Sequence, residues 1–310
     1  MLPSNIFFIL ITLLVLLLHL DLYECVNENI ENKKDKLLIY FTLSIKKEYI
    51  HLLLLLIKSI RTYGNFTGDL LLITDGNNNY TAYIEKKVKN ISNDNDNIYF
   101  MYIKRQDFFR SYFNRLLIFS YKHINRYNKI LYLDSDILIL NNINKIFMLL
   151  DKKKEDKKVY SVKEGSLDNP WWGGTSFFTK KNLEHFKKAK QMDAFNAGIL
   201  LFQNNKHIVK HFDDMIKKRE EWLNLKKPIP VCLDQCFIVY VLSMSNSIDN
   251  QKMNKYVDLN PTTKLGNNNM NKTIFHFQGQ TGNPSSKILK IFAFIKKNNL
   301  THLSIKMPSK

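Results

Sequence analysis

Lys129-Ile130-Leu131-Tyr132-Leu133-Asp134-Ser135-Asp136-Ile137-Leu138-Ile139-Leu140 is an apolar run broken by two carboxylates. A run of this composition reads as a buried strand. Residues two apart on a strand project to one face, so the two carboxylates would be desolvated side by side, which is costly for both. A divalent cation relieves both penalties. Oxygen ligands at this spacing suit Mn²⁺ or Mg²⁺, and a cation held there can clamp a diphosphate. Asp94-Asn95-Asp96 has the same spacing inside the polar tract 93–97 and reads as solvated loop. The apolar flanks therefore single out Asp134 and Asp136.

Upstream, strands and helices alternate. The stretch 37–43 reads as a buried strand. The stretch 48–63, apolar at Ile50, 52–57 and Ile60, is too long for a strand and too short to span a bilayer, so it reads as a buried helix closed by Gly64. Gly68 introduces a strand over 69–74, which completes a βαβ unit and predicts a parallel sheet. A helix and an Asn/Asp loop over 77–97, a strand over 98–103 and a helix over 108–124 lead into the strand that carries Asp134. The order predicts an α/β nucleotide-binding fold, with a central, mostly parallel sheet flanked by helices and ligands beyond the carboxyl ends of the strands. No Gly-x-Gly-x-x-Gly or phosphate-loop sequence supports a dinucleotide or a Walker-held ATP.

With 310 residues, 45% of them hydrophobic, the chain can bury one large core or two small ones, and one catalytic domain is expected. The net charge of +18 and pI near 9.6 invite a nucleic-acid reading. Against it, 40 of the 46 basic residues are Lys, they accompany 35 Asn, and they are spread along loops and helix faces, the pattern of compositional bias on a solvated surface. No nucleic-acid motif intervenes. Three cysteines do not make a disulfide framework, and Cys232 and Cys236 lack the companion pair of a zinc site, so they read as core.

Residues 6–20 are apolar but for Thr12 and His19, long for a signal-peptide core and slightly short for a full span. Residues 1–25 read as a signal peptide or signal anchor, the anchor favoured because no small-x-small cleavage site is evident, with 26–36 as a short polar stem and 37–310 as the catalytic domain. A lumenal domain on an endoplasmic reticulum or Golgi membrane is the expected setting. Sequons at Asn65, Asn79, Asn90, Asn271 and Asn299 fit it, although so many asparagines generate sequons by chance.

Three later segments carry polar groups at the edges of apolar elements. Asp193 and Asn196 precede the apolar stretch 198–202, Asp234-Gln235 opens a hydrophobic helix, and His276 lies on the short strand of Ile274-Phe275-His276-Phe277-Gln278-Gly279. Each has a plain reading: Asp and Asn as caps, His276 as a core residue. The other reading makes them ligands of a metal or a sugar.

Taken in order, Tyr40-Phe41-Thr42-Leu43-Ser44 with Tyr49 and Ser59-Ile60-Arg61, Asn114-Arg115-Leu116-Leu117, Asp134-Ser135-Asp136, Phe195-Asn196-Ala197-Gly198, Asp234-Gln235 and His276-Phe277-Gln278-Gly279 resemble family 8 of the glycosyltransferases, most closely its glycogenin-like branch, over roughly 37–284. The resemblance implies a GT-A fold, a UDP-sugar donor, Mn²⁺, and transfer with retention at the anomeric carbon. By the same resemblance Asp134, Asp136 and His276 ligate the metal, and Arg115 reaches the phosphates or donor sugar. Asp193, Asn196, Asp234 and Gln235 hold sugar hydroxyls, while Leu43, Ser44, Ile45 and Tyr49 form the uridine pocket, with Ser135 and Gly279 also at the donor. The acceptor would be a carbohydrate, lipid or protein.

One block departs from the pattern. Where the family carries a lysine three residues after the glycine, this chain reads Gly279-Gln280-Thr281-Gly282-Asn283-Pro284, leaving Lys287 to reach back. The departure motivates a second reading, a nucleotide-sugar- or glycan-binding protein of the same fold with weak or no turnover. A third, a hydrolase using Asp134 and Asp136 as acid and base, is disfavoured because adjacent same-face carboxylates leave no gap for sugar and water.

Overall fold

Leu37–Leu43 (β1) lies within a seven-stranded sheet and feeds both of its faces: Leu38 and Tyr40 enter one core, Ile39 and Phe41 the other. A strand covered on both sides has no polar face to present, which accounts for its unbroken apolar sequence. The computed structural model describes residues 36–43, 48–76, 78–91, 97–104, 107–150, 156–261, 271–278 and 284–303. Within it Leu37–Lys310 forms one compact unit.

β1 pairs in parallel with Asp69–Asp75 (β2) and Lys129–Leu133 (β4), and β2 with Ile98–Ile103 (β3). The second half of the sheet changes direction. Asp193–Gln203 (β7) runs antiparallel to both β4 and Val159–Ser166 (β6), and β6 pairs in parallel with the short Ile248–Asp249 (β8), giving the order β3-β2-β1-β4-β7-β6-β8. The expected parallel sheet is thus its first four strands.

The run 129–140 is not one strand. β4 ends at Leu133, and Ile137–Ile139 (β5) belongs to a separate three-stranded sheet, antiparallel to Ile274–His276 (β10), which pairs in parallel with Val257–Leu259 (β9). Asp134 and Asp136 occupy the turn between the sheets, and their shared direction comes from that turn rather than from the two-residue period of a strand.

Tyr49–Thr62 (α1) has apolar residues around most of its circumference. Leu53, Leu56 and Ile57 pack on the large sheet, while Leu52 and Leu55 join a third core with Leu138, Phe275 and Phe294, the last supplied by Pro284–Lys297 (α5). Asn78–Lys89 (α2) also covers this face of the sheet, through Tyr80, Ile84 and Val88, and the other face carries Lys206–Asn224 (α3) and Gln235–Met244 (α4). Cys232 and Cys236 are buried as expected, and they also meet, their Cα atoms 5.8 Å apart, a separation within the range of disulfides.

The helix expected over 108–124 is α-helical only at Phe108–Ser111 and continues as a 3₁₀ helix over Tyr112–Ser120. Its three-residue period stacks Arg115 with Ile118 and Phe113 with Leu116, all buried, so two adjacent rows face inward and Arg115 enters the interior. Residues 1–35, with the expected membrane segment and most of the stem, lie outside the described residues, as do Ser44, Ile45 and Gly279. Among the described residues no helix is long and apolar enough to cross a membrane.

Candidate active site

β4 delivers Asp134 and β5 begins just after Asp136, while β10 sets His276 opposite Ile137. Backbone bonds fix the turn at both ends: Asp134 N–H donates to Gly198 O at 2.8 Å, and Phe277 N–H to Asp136 O at 2.9 Å. His276 Nε2 then lies 3.2 Å from Asp136 Oδ1 and 4.0 Å from Asp134 Oδ2. One ligand atom from each of the three residues falls within 4.8 Å of the others, so they can hold one cation. Gly198 leaves the room: a Cβ there would stand 2.5 Å from Asp134 Oδ2 and 2.6 Å from His276 Cε1. Two carboxylates and an imidazole form a donor set that suits a divalent cation.

Burial pushes the Asp136 carboxyl up, but His276 and the Lys287 ammonium, which lies against Oδ2, together hold it well below the ordinary aspartate value. Burial lowers His276, and Asp136 with Asp134 outweighs it, leaving the imidazole above its ordinary value of 6.5. Tyr132, two residues before Asp134, donates its hydroxyl to Asp134 Oδ1 at 2.6 Å, and burial raises its phenol so far that it keeps that proton.

Arg115 reaches the site from the 3₁₀ helix. Its guanidinium lies 4.8 Å over the Tyr132 ring and donates from Nη1 to Ala197 O at 2.6 Å and from Nη2 to Asp234 Oδ1 at 3.2 Å. Nε stands 2.7 Å from Asp234 Oδ2, an ion-pair contact without the angle of a hydrogen bond, and Nη1 is 3.5 Å from Asp134 Oδ1. Asp234 sits at the N-terminus of α4 yet makes no side-chain cap, so the capping reading fails and its carboxylate serves Arg115. Burial still pushes that carboxyl up to about 6, against the pull of Arg115. Gln235 Oε1 accepts from Ala197 N–H at 3.4 Å, so the Ala197 peptide is bracketed by Arg115 and Gln235.

Asn196 is buried and spends its amide inside the protein. Nδ2 donates to Glu164 Oε2 at 2.9 Å and Gln278 Oε1 at 2.6 Å, and Oδ1 accepts from Gly198 N–H at 2.8 Å. In this arrangement it orients Glu164 and Gln278. Asp193 is not brought to the cluster: its carboxylate pairs with Lys163 at 2.7 Å and accepts from Gln251. Of the expected uridine residues, Leu43 is buried at the end of β1, and Tyr49 opens α1 within the electrostatic reach of Lys287 and Asp136. Ser135 sits half-buried in the turn. Sequence reading missed Tyr132 and Glu164. The strand period pointed to the first, which is two residues from Asp134; nothing local marks Glu164.

Two outcomes follow from this geometry. The His276–Asp136 pair should contribute stability that is full below the unfolded histidine value of 6.5, fades as pH rises through the raised folded value, and is lost at the acid end as Asp136 protonates. In excess chelator, His276→Asn should therefore cost about 1.5–3 kcal/mol at about pH 5.5 and markedly less at about pH 9 by urea unfolding; a cost equal at both would refute a charged pair. Gly198→Ala should lower divalent-cation affinity about tenfold or more by displacing two ligands, with unchanged affinity in calorimetry as the contrary result.

The sequence matches the family model described as "Glycosyl transferase family 8" over residues 40–282. A search of curated proteins finds no match. Among solved structures, the apo bifunctional glycosyltransferase WbbM superposes with a TM-score of 0.54 at 14% identity, covering 86% of this chain and 52% of that one, so the chain spans about half of WbbM's length. The galactosyltransferase LgtC, solved with donor and acceptor sugar analogues, superposes with a TM-score of 0.50 at 13% identity, covering 84% of this chain and 96% of LgtC. Both likenesses are of fold, the GT-A arrangement of a large sheet flanked by helices. The family match spans most of the compact unit and includes every residue of the Asp134, Asp136, Arg115, Asn196, Asp234 and His276 constellation, and the chain belongs to glycosyltransferase family 8.

Proposed function

We propose that this glycosyltransferase depends on a divalent metal, Mn²⁺ before Mg²⁺, and moves a hexose, glucose as first choice, from a UDP-sugar to a glycan, glycolipid or protein acceptor with retention. The observation that carries this reading is the convergence of Asp134, Asp136 and His276 within 4.8 Å. A cation bound there would neutralise charge developing on the UDP leaving group. Arg115 presents a buried guanidinium, fixed by Asp234 and Ala197, toward the same space. Glu164 and Gln278, tied together through Asn196, offer acceptors for sugar hydroxyls.

The carboxylates of the cluster are already engaged: Asp134 by Tyr132, Asp136 by His276 and Lys287, Asp234 by Arg115, and Glu164 by Asn196. None stands free as a nucleophile, which supports catalysis by positioning and leaving-group electrostatics. LgtC's donor and acceptor sugar analogues support the same substrate classes. The binding-protein alternative draws on one observation, the absence of a basic residue from 279–283.

The test is a panel of UDP-sugars offered to the purified chain with Mn²⁺ and scored for UDP release. Release with one sugar, lost in chelator and restored by Mn²⁺ better than by Ca²⁺, is expected. Asp136→Asn should lose turnover about a hundredfold and remain folded. Activity in excess chelator would sink the metal role, and tight UDP-sugar binding without release would favour the binding protein.

We also propose that residues 6–23 hold the catalytic domain on the lumenal side of an endoplasmic reticulum or Golgi membrane. The asparagines of all five sequons are exposed, which supports that side. The domain should be protease-protected in sealed vesicles; digestion in intact vesicles with 1–25 still attached would reverse the orientation.

A further inference from the structure

Lys287 stands in the first turn of α5 and reaches the metal ligands from outside both sheets. Its side chain is 18% exposed and that of Asp136 is 6%, so the pair is largely shielded from solvent, unlike a surface ion pair. The two oxygens of Asp136 are divided: Oδ1 faces His276, and Oδ2 faces the Lys287 ammonium. The ammonium thus neutralises a carboxylate whose charge a divalent ion at Asp134, Asp136 and His276 also requires. Two cations on one buried carboxylate repel strongly, because the interior screens them little. Lysine has a flexible four-carbon stem and can leave. The segment 276–283 contains no lysine or arginine, so α5 is the element after β10 that supplies a positive charge here.

We propose that Lys287 is an exchangeable counter-ion, which neutralises Asp136 while no metal is bound and passes to the diphosphate of the donor when the metal arrives. The exchange balances charge, since the cation takes over the carboxylates and the released ammonium meets the phosphates that accompany it. The second half rests on the UDP-sugar reading above; the first half does not.

The test uses the full chain in detergent, with Lys287→Met, which keeps the stem and removes the charge, and Lys287→Arg, which keeps the charge. Mn²⁺ binding without nucleotide is read from the electron paramagnetic resonance of free Mn²⁺, and UDP binding at saturating Mn²⁺ by calorimetry. Lys287→Met should bind Mn²⁺ about tenfold more tightly and UDP about tenfold more weakly, opposite signs from one substitution. Lys287→Arg should stay near the parent in both. Weaker Mn²⁺ binding in Lys287→Met would mean that Lys287 orients Asp136 for the metal, and unchanged UDP binding would remove the hand-over; either overturns the proposal. If Lys287→Met does not fold, Lys287→Gln carries the same comparison. A parent that binds Mn²⁺ but no UDP would sink the donor reading, while the Mn²⁺ comparison still decides the counter-ion.

Discussion

The antiparallel pairing of β5 with β10 is the constraint on which the site depends. It sets His276 opposite Ile137, one residue from Asp136, and so places an imidazole against a carboxylate about 140 residues earlier in the chain. The pairing exists because the chain leaves the large sheet after Leu133 and enters the small one at Ile137. Had the apolar run continued as one strand, Asp136 would have remained on the large sheet beside β7 and beyond the reach of β10. The small sheet has three short strands, and it is stabilised by the third core, in which Leu138 and Phe275 pack with Phe294 of α5.

Around that crossing the remaining groups are arranged by packing rather than by local signals. Gly198 admits the ligands by having no side chain. The Ala197 peptide carries Arg115 on its carbonyl and Gln235 on its N–H, which ties the 3₁₀ helix and α4 to one residue of β7. Arg115 is buried, and its charge is met by Asp234, with Asp134 further off and the Tyr132 ring beneath the guanidinium.

Asp134 and Asp136 were legible in the sequence as candidates, because a carboxylate in an apolar run contradicts its surroundings and they do so twice. The parallel βαβ half was legible for a similar reason: period and length distinguish Leu37–Leu43 from Tyr49–Thr62. The break at Leu133 was not, since a turn whose backbone is anchored by Gly198 and Phe277 depends on partners remote in sequence. Asp193 and Asn196 looked alike as polar residues before an apolar stretch. The structure separates them because Asp193 lies beyond the end of β4, beside Lys163 and Gln251, whereas Asn196 is level with the turn. The 3₁₀ geometry of Tyr112–Ser120 was hidden for want of a sequence period that separates three residues per turn from 3.6.

The contacts that complete the site join residues 82, 119 and 151 positions apart. On the ribosome, the first half of the large sheet can form while every partner of Asp134 and Asp136 beyond residue 190 is still unsynthesised. The nascent chain therefore carries Asp134 with its early partners Arg115 and Tyr132, but Asp136 without His276 until β10 emerges and without Lys287 until α5 follows. A cation that needs all three ligands finds its pocket only once His276 has been synthesised and β10 has paired with β5. Occupancy of that pocket would thus report on the pairing of the small sheet and could not template the first half of the large one.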